Sequence, residues 1–362
     1  MESLCCQLWR VFVTFCFTFI LISSKFHKSV ADPKYSAILV FGDSYVDNGN
    51  NAYFVTLCST NYPPYGSKYP GKPAGRPSDG KLVPDILATM LGIKEAVPPY
   101  LQPNLPNHEL ITGVGFASSC AGFDDRTYDF MPRISMSKQL EYFKDYISRL
   151  TTIVGEMEAQ RIVSEALVII HAGVNDLTAG DFSVTSTVNR IFQSNSSSSA
   201  SADNEYQDFL MQKVQNFFEE LYVLGCRRMI FMGLPPFGCV PFKRAQNLPS
   251  FQCVEKTNLE TQTFNKKLVD LLPQIQAKLP GSKLVLVDIF GLVMDMIHQP
   301  NKYGFVDAGK GCCQINPSWP LCLPLIPHCS NSSQYLFWDG VHFTEAAYTY
   351  FAEEIFIKLS AL

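Results

Sequence analysis

Five short, almost uninterrupted apolar runs limit what this chain can fold into: Ala37 to Phe41, Ile111 to Ala117, Leu167 to His171, Met229 to Met232 and Leu284 to Asp288. Runs of this length without alternation suit strands covered on both faces, as in a parallel sheet. Between and after them lie stretches with helical periodicity, at Leu82 to Leu91, Met136 to Ser164, Tyr206 to Leu224, Val254 to Lys278 and Thr344 to Leu359. Strands alternating with helices predict a three-layer α/β/α sandwich around a central, mostly five-stranded parallel sheet. The stretch Ser194 to Ser201 is Ser-rich without an apolar period, and reads as a surface loop rather than a linker between domains.

The beginning of the chain has a different character. Val11 to Ile22 is an unbroken run of apolar, Thr and Cys residues, preceded by Arg10 and followed by the polar Lys25-Phe26-His27-Lys28. This reads as a secretory signal peptide, and the run is shorter than the roughly 18 to 20 residues a membrane anchor needs. Cleavage fits after Ser24 or after Ala31, so residues 1–31 are the expected leader and 32–362 the expected single mature domain. A secreted, extracellular protein without a stable membrane anchor follows as an expectation.

Of the 12 cysteines, the leader holds Cys5, Cys6 and Cys16. The remainder is odd in number, so at least one thiol is unpaired. Cys312, Cys313, Cys322 and Cys329 crowd a Pro-rich stretch, which in an oxidising compartment reads as a loop stapled by disulfides. Zinc is disfavoured there, because the adjacent Cys312-Cys313 lacks C-x-x-C spacing. Cys239 and Cys253 flank a Pro-containing loop and suit a further bridge, while Cys226 at an apolar helix-to-strand junction suits a buried free thiol. Sequons at Asn195 and Asn331 fit secretion and predict glycosylated surface loops. A net charge of −4 without any Lys/Arg cluster argues against a nucleic-acid partner. No metal or cofactor is expected from these patterns.

Two segments at opposite ends carry the chemistry. Ser44 follows Ile38-Leu39-Val40-Phe41 by way of Gly42-Asp43, which puts it at the C-terminal end of the first strand, where open α/β sheets hold their ligands. Asp339 and His342 are three residues apart, close enough for a carboxylate to meet an imidazole nitrogen if the segment turns. Taken singly, the first is an ordinary strand-to-loop turn and the second a capping Asp beside an exposed His. Together they supply what a serine nucleophile needs, an imidazole to take its proton and an acid to fix the imidazole's tautomer. Thr344 as N-cap with Glu345 in the first turn starts the last helix and leaves His342 in the preceding loop. Asn175, in Gly173-Val174-Asn175-Asp176 after the Leu167 run, is either an Asx turn or an amide donor to a developing oxyanion, an interaction worth roughly 3 kcal/mol. The small residues of Gly113 to Gly122 let backbone N–H groups approach a substrate.

At this point the chain resembles a known family, the plant GDSL esterase/lipase branch of the SGNH hydrolases, over essentially the whole mature region. The matching motifs are Phe41-Gly42-Asp43-Ser44-Tyr45-Val46-Asp47-Asn48-Gly49-Asn50, Gly173-Val174-Asn175-Asp176 and Phe337-Trp338-Asp339-Gly340-Val341-His342-Phe343-Thr344-Glu345-Ala346-Ala347. Lesser matches are Gly75-Arg76-Pro77-Ser78-Asp79-Gly80-Lys81, with Pro77 where an aromatic is common, and Gly233-Leu234-Pro235-Pro236-Phe237-Gly238-Cys239. The resemblance implies a flavodoxin-like fold and a secreted serine hydrolase acting on small or polymer-borne carboxylic esters. It implies an acyl-enzyme on Ser44, with His342 as general base and acid and Asp339 orienting it. The implied oxyanion donors are the Ser44 backbone N–H, a backbone N–H at Cys120 and the Asn175 side chain. Where the family usually carries glycine this chain has Ser119-Cys120, so Cys120 serves only if its φ/ψ does not require glycine. Cys120 as a thiol nucleophile is disfavoured, since no second His is matched to activate it. An α/β-hydrolase elbow is disfavoured too, because Val46 stands where its second Gly belongs. The alternatives to hydrolysis are an acyltransferase with the same acyl-enzyme and a catalytically silent, lectin-like binder. Tyr45, Tyr53, Phe54 and Phe237 are the aromatics expected either at an acyl site or in the core.

Overall fold

The computed structural model describes residues 34–182, 200–313, 320–325, 327–359 and 362. The expected leader and the Asn195 sequon lie outside the described residues. Four strands form one parallel sheet in the order β1 (Ile38–Gly42), β2 (Leu167–His171), β3 (Arg228–Met232) and β4 (Lys283–Val287). All of β1 and β2 is buried, and in β3 only Arg228 is half-buried, which accounts for strands that read as apolar throughout. The edge strand β4 begins on an exposed lysine.

The run at Ile111 to Ala117 behaves differently from the other strands. Its first residue closes a short helix, α2 (Asn107–Ile111), which follows α1 (Val83–Met90). From Thr112 the chain straightens alongside β1, with Ile38 N–H donating to Thr112 O at 3.1 Å, Val40 N–H to Val114 O at 3.2 Å and Phe116 N–H to Val40 O at 2.7 Å. Residues 112–118 are therefore the fifth member of the sheet, joined through an isolated parallel bridge at Gly115 rather than a full strand. The chain leaves β1 in one direction for this segment, then crosses back to β2. At such a reversal the loops after neighbouring strands diverge and leave a crevice at their C-terminal ends.

Helices cover both faces. On one, α1 packs against the C-terminal helix. On the other lie α3 (Met136–Val154), α6 (Ala200–Val223) and α7 (Glu255–Lys278). Phe41 of β1 meets that second layer through Phe143 and Phe217, at ring-centroid distances of 5.3 and 5.7 Å. The single helix expected over 136–164 is broken by Gly155, whose φ of 85° ends α3 and lets α4 (Glu156–Glu165) start in a new direction. Two further helices, α5 (Val174–Phe182) and α8 (Ile289–His298), follow β2 and β4. The last, α9 (Glu345–Lys358), begins as the sequence predicts, with the Thr344 hydroxyl accepting from the Ala347 N–H. No helix among the described residues is long and apolar enough to cross a membrane.

A small parallel pair, β5 (Asp307–Gly311) and β6 (Tyr335–Phe337), stands apart from the main sheet. The chain between them is closed by Cys312–Cys329 and Cys313–Cys322. These cysteines join Tyr65 and Trp338 in a second, minor core. Cys239–Cys253 and Cys58–Cys120 are also bridged, and Cys226 is the buried free thiol, its pKa pushed up by burial.

The ends of β1 and β2 approach closely enough to exclude a side chain. Gly42 has φ 139°, and a Cβ there would lie 1.9 Å from the His171 carbonyl oxygen. Gln139 of α3 holds the same residue with both ends of its amide, accepting from Gly42 N–H and donating to Gly42 O, each at 2.8 Å. Gly42→Ala is expected to lower the unfolding free energy by about 3 kcal/mol, read from urea denaturation. A loss below about 1 kcal/mol would mean that the two strand ends separate freely.

Candidate active site

Ser44, Cys120, Asn175 and His342 line one cavity of about 330 Å³ at the C-terminal ends of β1, the 112–118 segment and β2. Asp339 lies behind His342 and is fully buried. Its Oδ1 accepts from the N–H groups of Val341 and His342 at 2.8 and 2.7 Å. Its Oδ2 accepts from the Tyr65 hydroxyl at 2.7 Å and meets His342 Nδ1 at 2.8 Å. A carboxylate that is only accepting requires the ring nitrogen to donate, so Nδ1 carries the proton and Nε2 of the neutral ring keeps its lone pair. Ser44 is brought to the same cavity rather than into a direct hydrogen bond with that ring.

The loop carrying Asp339 and His342 is fixed from several sides. Trp338 N–H donates to His342 O at 2.8 Å, and the Tyr45 hydroxyl donates to Val341 O at 2.9 Å. The block Gly75 to Lys81 has its purpose here: Ser78 Oγ donates to Phe343 O at 3.0 Å, and Asp79 Oδ1 accepts from Glu345 N–H at 2.7 Å. Tyr65, which the sequence reading did not single out, also accepts from Cys322 N–H at 3.0 Å and so links Asp339 to the disulfide-stapled segment. Burial, then the Asp339 charge, holds the Tyr65 phenol well above its ordinary pKa and keeps it a donor.

Some donors at the cavity have no partner among the described residues. On either side of Ser44, Asp43 N–H donates to His171 O at 2.9 Å and Tyr45 N–H to Asp43 Oδ1 at 3.1 Å, leaving the Ser44 N–H without a partner among the described residues. In the 118–121 loop, Ser118 N–H goes to Gly42 O, Ser119 N–H to Asp47 Oδ2 and Ala121 N–H to Ser118 O. Only Cys120 N–H is left. Asn175 Nδ2 gives one hydrogen to Ala121 O at 2.8 Å and keeps the other. Cys120 has φ 67°, the left-handed region glycine enters freely, so the chain adopts there the backbone for which its sequence lacks the usual residue. Its sulfur is bonded to Cys58, which removes it as a nucleophile.

Two buried carboxylates shape these loops. Asp47 accepts from Gly49 N–H, Asn50 N–H, Ser119 N–H and Ser119 Oγ, all within 2.9 Å. Burial pushes its pKa up to about 6 against those donors. Asp176 holds the 123–127 turn through Phe123 N–H, Asp124 N–H and Thr127 Oγ1, and burial likewise pushes it up to about 6. A second His–Asp pair, His171 Nδ1 to Asp43 Oδ1 at 2.9 Å, is buried and off the cavity wall, so it braces the Ser44 loop. Tyr45 and Phe237 line the cavity, whereas Tyr53 and Phe54 do not. Asn331 is exposed, where a glycan can be accommodated. Among the described residues no group of His, Cys, Asp and Glu is arranged to hold a metal ion.

The profile of the GDSL-like Lipase/Acylhydrolase family matches residues 38–355. One GDSL esterase/lipase of Arabidopsis thaliana is 43% identical over 338 residues, covering 91% of this chain and 92% of its own. Another from the same plant is 41% identical over 347 residues, covering 94% of each. An extracellular lipase from Streptomyces rimosus covers 90% of this chain and all of its own at 13% identity, with a TM-score of 0.40. The chain belongs to the GDSL esterase/lipase family, whose members are carboxylic ester hydrolases.

Tyr65→Phe removes a donor from Asp339 and the acceptor of a buried N–H in one step. It is expected to destabilise the fold by about 2 to 3 kcal/mol in urea unfolding. Tyr62→Phe, whose half-buried hydroxyl donates to Cys322 O, should cost less. Equal losses would show that Tyr65 adds nothing through Asp339.

Proposed function

We propose that this protein is a secreted serine esterase that cleaves esters of uncharged, apolar acyl groups through an acyl-enzyme. In this reading His342 Nε2 takes the proton from Ser44 Oγ as that oxygen attacks the ester carbonyl carbon. The carbonyl oxygen, now bearing the charge, receives hydrogen bonds from Ser44 N–H, Cys120 N–H and Asn175 Nδ2. As the carbonyl re-forms, the bond to the alkoxy oxygen breaks and His342 returns its proton to the departing alcohol. Water then enters, gives a proton to His342 and its oxygen to the acyl carbon. Collapse frees the acid and returns the proton to Ser44. Asp339 stays a hydrogen-bond acceptor throughout and stabilises the imidazolium.

This reading is carried by the meeting, at one cavity, of Ser44 and Cys120, whose N–H groups have no partner among the described residues, and Asn175, with one Nδ2 hydrogen left over, with the cavity-lining member of a buried His–Asp pair. The substrate class is supported by the wall, where Leu57, Met131, Phe242 and Leu321 contribute and no Asp, Glu, Lys or Arg appears among the described residues. Four disulfides support an oxidising destination, in keeping with the expected leader.

The test is a series of p-nitrophenyl esters from acetyl to long acyl chains, with a succinyl ester as the charged member, run on the wild type and on Ser44→Ala and Asn175→Ala. Turnover should favour apolar chains over acetyl and succinyl. Ser44→Ala is expected to lose about 10⁴-fold or more in kcat. Asn175→Ala should lose on the order of 10²-fold. Undiminished turnover by Ser44→Ala would remove the serine mechanism, and a preference for succinyl would remove the acyl assignment.

A further inference from the structure

We infer that the Cys58–Cys120 disulfide is a positioning element for catalysis, holding the Cys120 backbone N–H in its oxyanion-binding orientation. The inference rests on the serine-hydrolase reading above. A donor that must stay free for substrate cannot be anchored by a hydrogen bond of its own. Among the described residues neither the N–H nor the carbonyl of Cys120 makes one. Its neighbours are tied instead, Ser119 N–H to Asp47 and Ala121 O to Asn175. Those ties fix the loop on either side of the residue, yet they leave its own φ to be set by something else.

The φ of 67° at Cys120 is one that residues bearing a Cβ rarely adopt, so left alone the peptide would relax toward negative φ and turn its N–H away. The bridge opposes that relaxation through the side chain. It reaches across 62 residues to Cys58, on the loop that also brings Leu57 and Thr60 to the cavity wall. Asn51 joins the two halves of this arrangement, because its Nδ2 donates to both Cys58 O and Ser119 O at 3.2 Å. Its Oδ1 accepts from Ser118 Oγ at 2.5 Å. The far end of the bridge is thereby fixed to the loop it positions.

A glycine at 120 would reach the same φ without a bridge, and this separates positioning from simple cross-linking. The experiment compares wild type, Cys58→Ser/Cys120→Ser, Cys58→Ser/Cys120→Gly and Ser44→Ala on the apolar p-nitrophenyl ester turned over best, with near-UV circular dichroism and thermal unfolding on each. The serine pair is expected to lose at least about 10-fold in kcat with KM within about twofold, because a misdirected oxyanion donor acts in the transition state. The glycine pair should recover kcat to within about fivefold of wild type while remaining as thermally destabilised as the serine pair. If the serine pair does not fold, Cys58→Ser alone takes its place. A folded glycine pair as impaired as the serine variant overturns the inference, as does a bridge-free serine variant with wild-type kcat. Full activity in Ser44→Ala would instead remove the underlying reading, so the two failures are distinguishable.

Discussion

The buried carboxylate of Asp339 is the group around which the C-terminal half of the site is organised. A carboxylate taken out of water without donors costs several kcal/mol, so the surrounding chain must deliver them in fixed positions. Two come from the backbone of its own turn, which places His342 as a consequence of satisfying Asp339. Another comes from Tyr65, far away in sequence, which shares a minor core with the cysteines of the disulfide-stapled loop. The stapled segment supplies the acceptor and donor groups that fix Tyr62 and Tyr65, so its rigidity is passed to the carboxylate and on to the imidazole.

The other half of the site follows from sheet order. The chain reverses direction after the 112–118 segment, and the loops after that segment, after β1 and after β2 surround one crevice. Close contact between β1 and β2 at Gly42 brings Ser44 beside the Asn175 loop, and Gln139 prevents the strand end from fraying. Asp47 then ties the Ser44 loop to the Ser119 N–H. With the Ser119 N–H so occupied, the next N–H along the loop, that of Cys120, has no partner among the described residues.

Much of this was legible in the sequence because it depends on local pattern. Strands covered on both faces must read as uniform apolar runs, and an N-cap such as Thr344 marks a helix start. Ser44, Asp339, His342 and Asn175 stand out as candidates in the sequence because each lies next to such a boundary. The break at Gly155 was missed since periodicity continues across it, and the short helix ending at Ile111 because its apolar end looks like the strand it precedes. Tyr65, Gln139 and Cys58 act across long sequence separations, and no local signal marks them. The polar run Asp47 to Asn51 is buried in the structure, and its partners appear only in three dimensions. At Cys120 the backbone takes a conformation that favours glycine, and its sulfur is bridged to the distant Cys58.

The proposed mechanism requires that the buried His342–Asp339 pair activate Ser44 as a nucleophile. The most direct measurement is peptide mapping by mass spectrometry after reaction with a fluorophosphonate, on the wild type and on His342→Ala. A single stoichiometric adduct on Ser44 is expected in the wild type, with labelling slowed by at least about 10³-fold in His342→Ala. An adduct on a different residue, or equal labelling of Ser44 in both proteins, would contradict that mechanism.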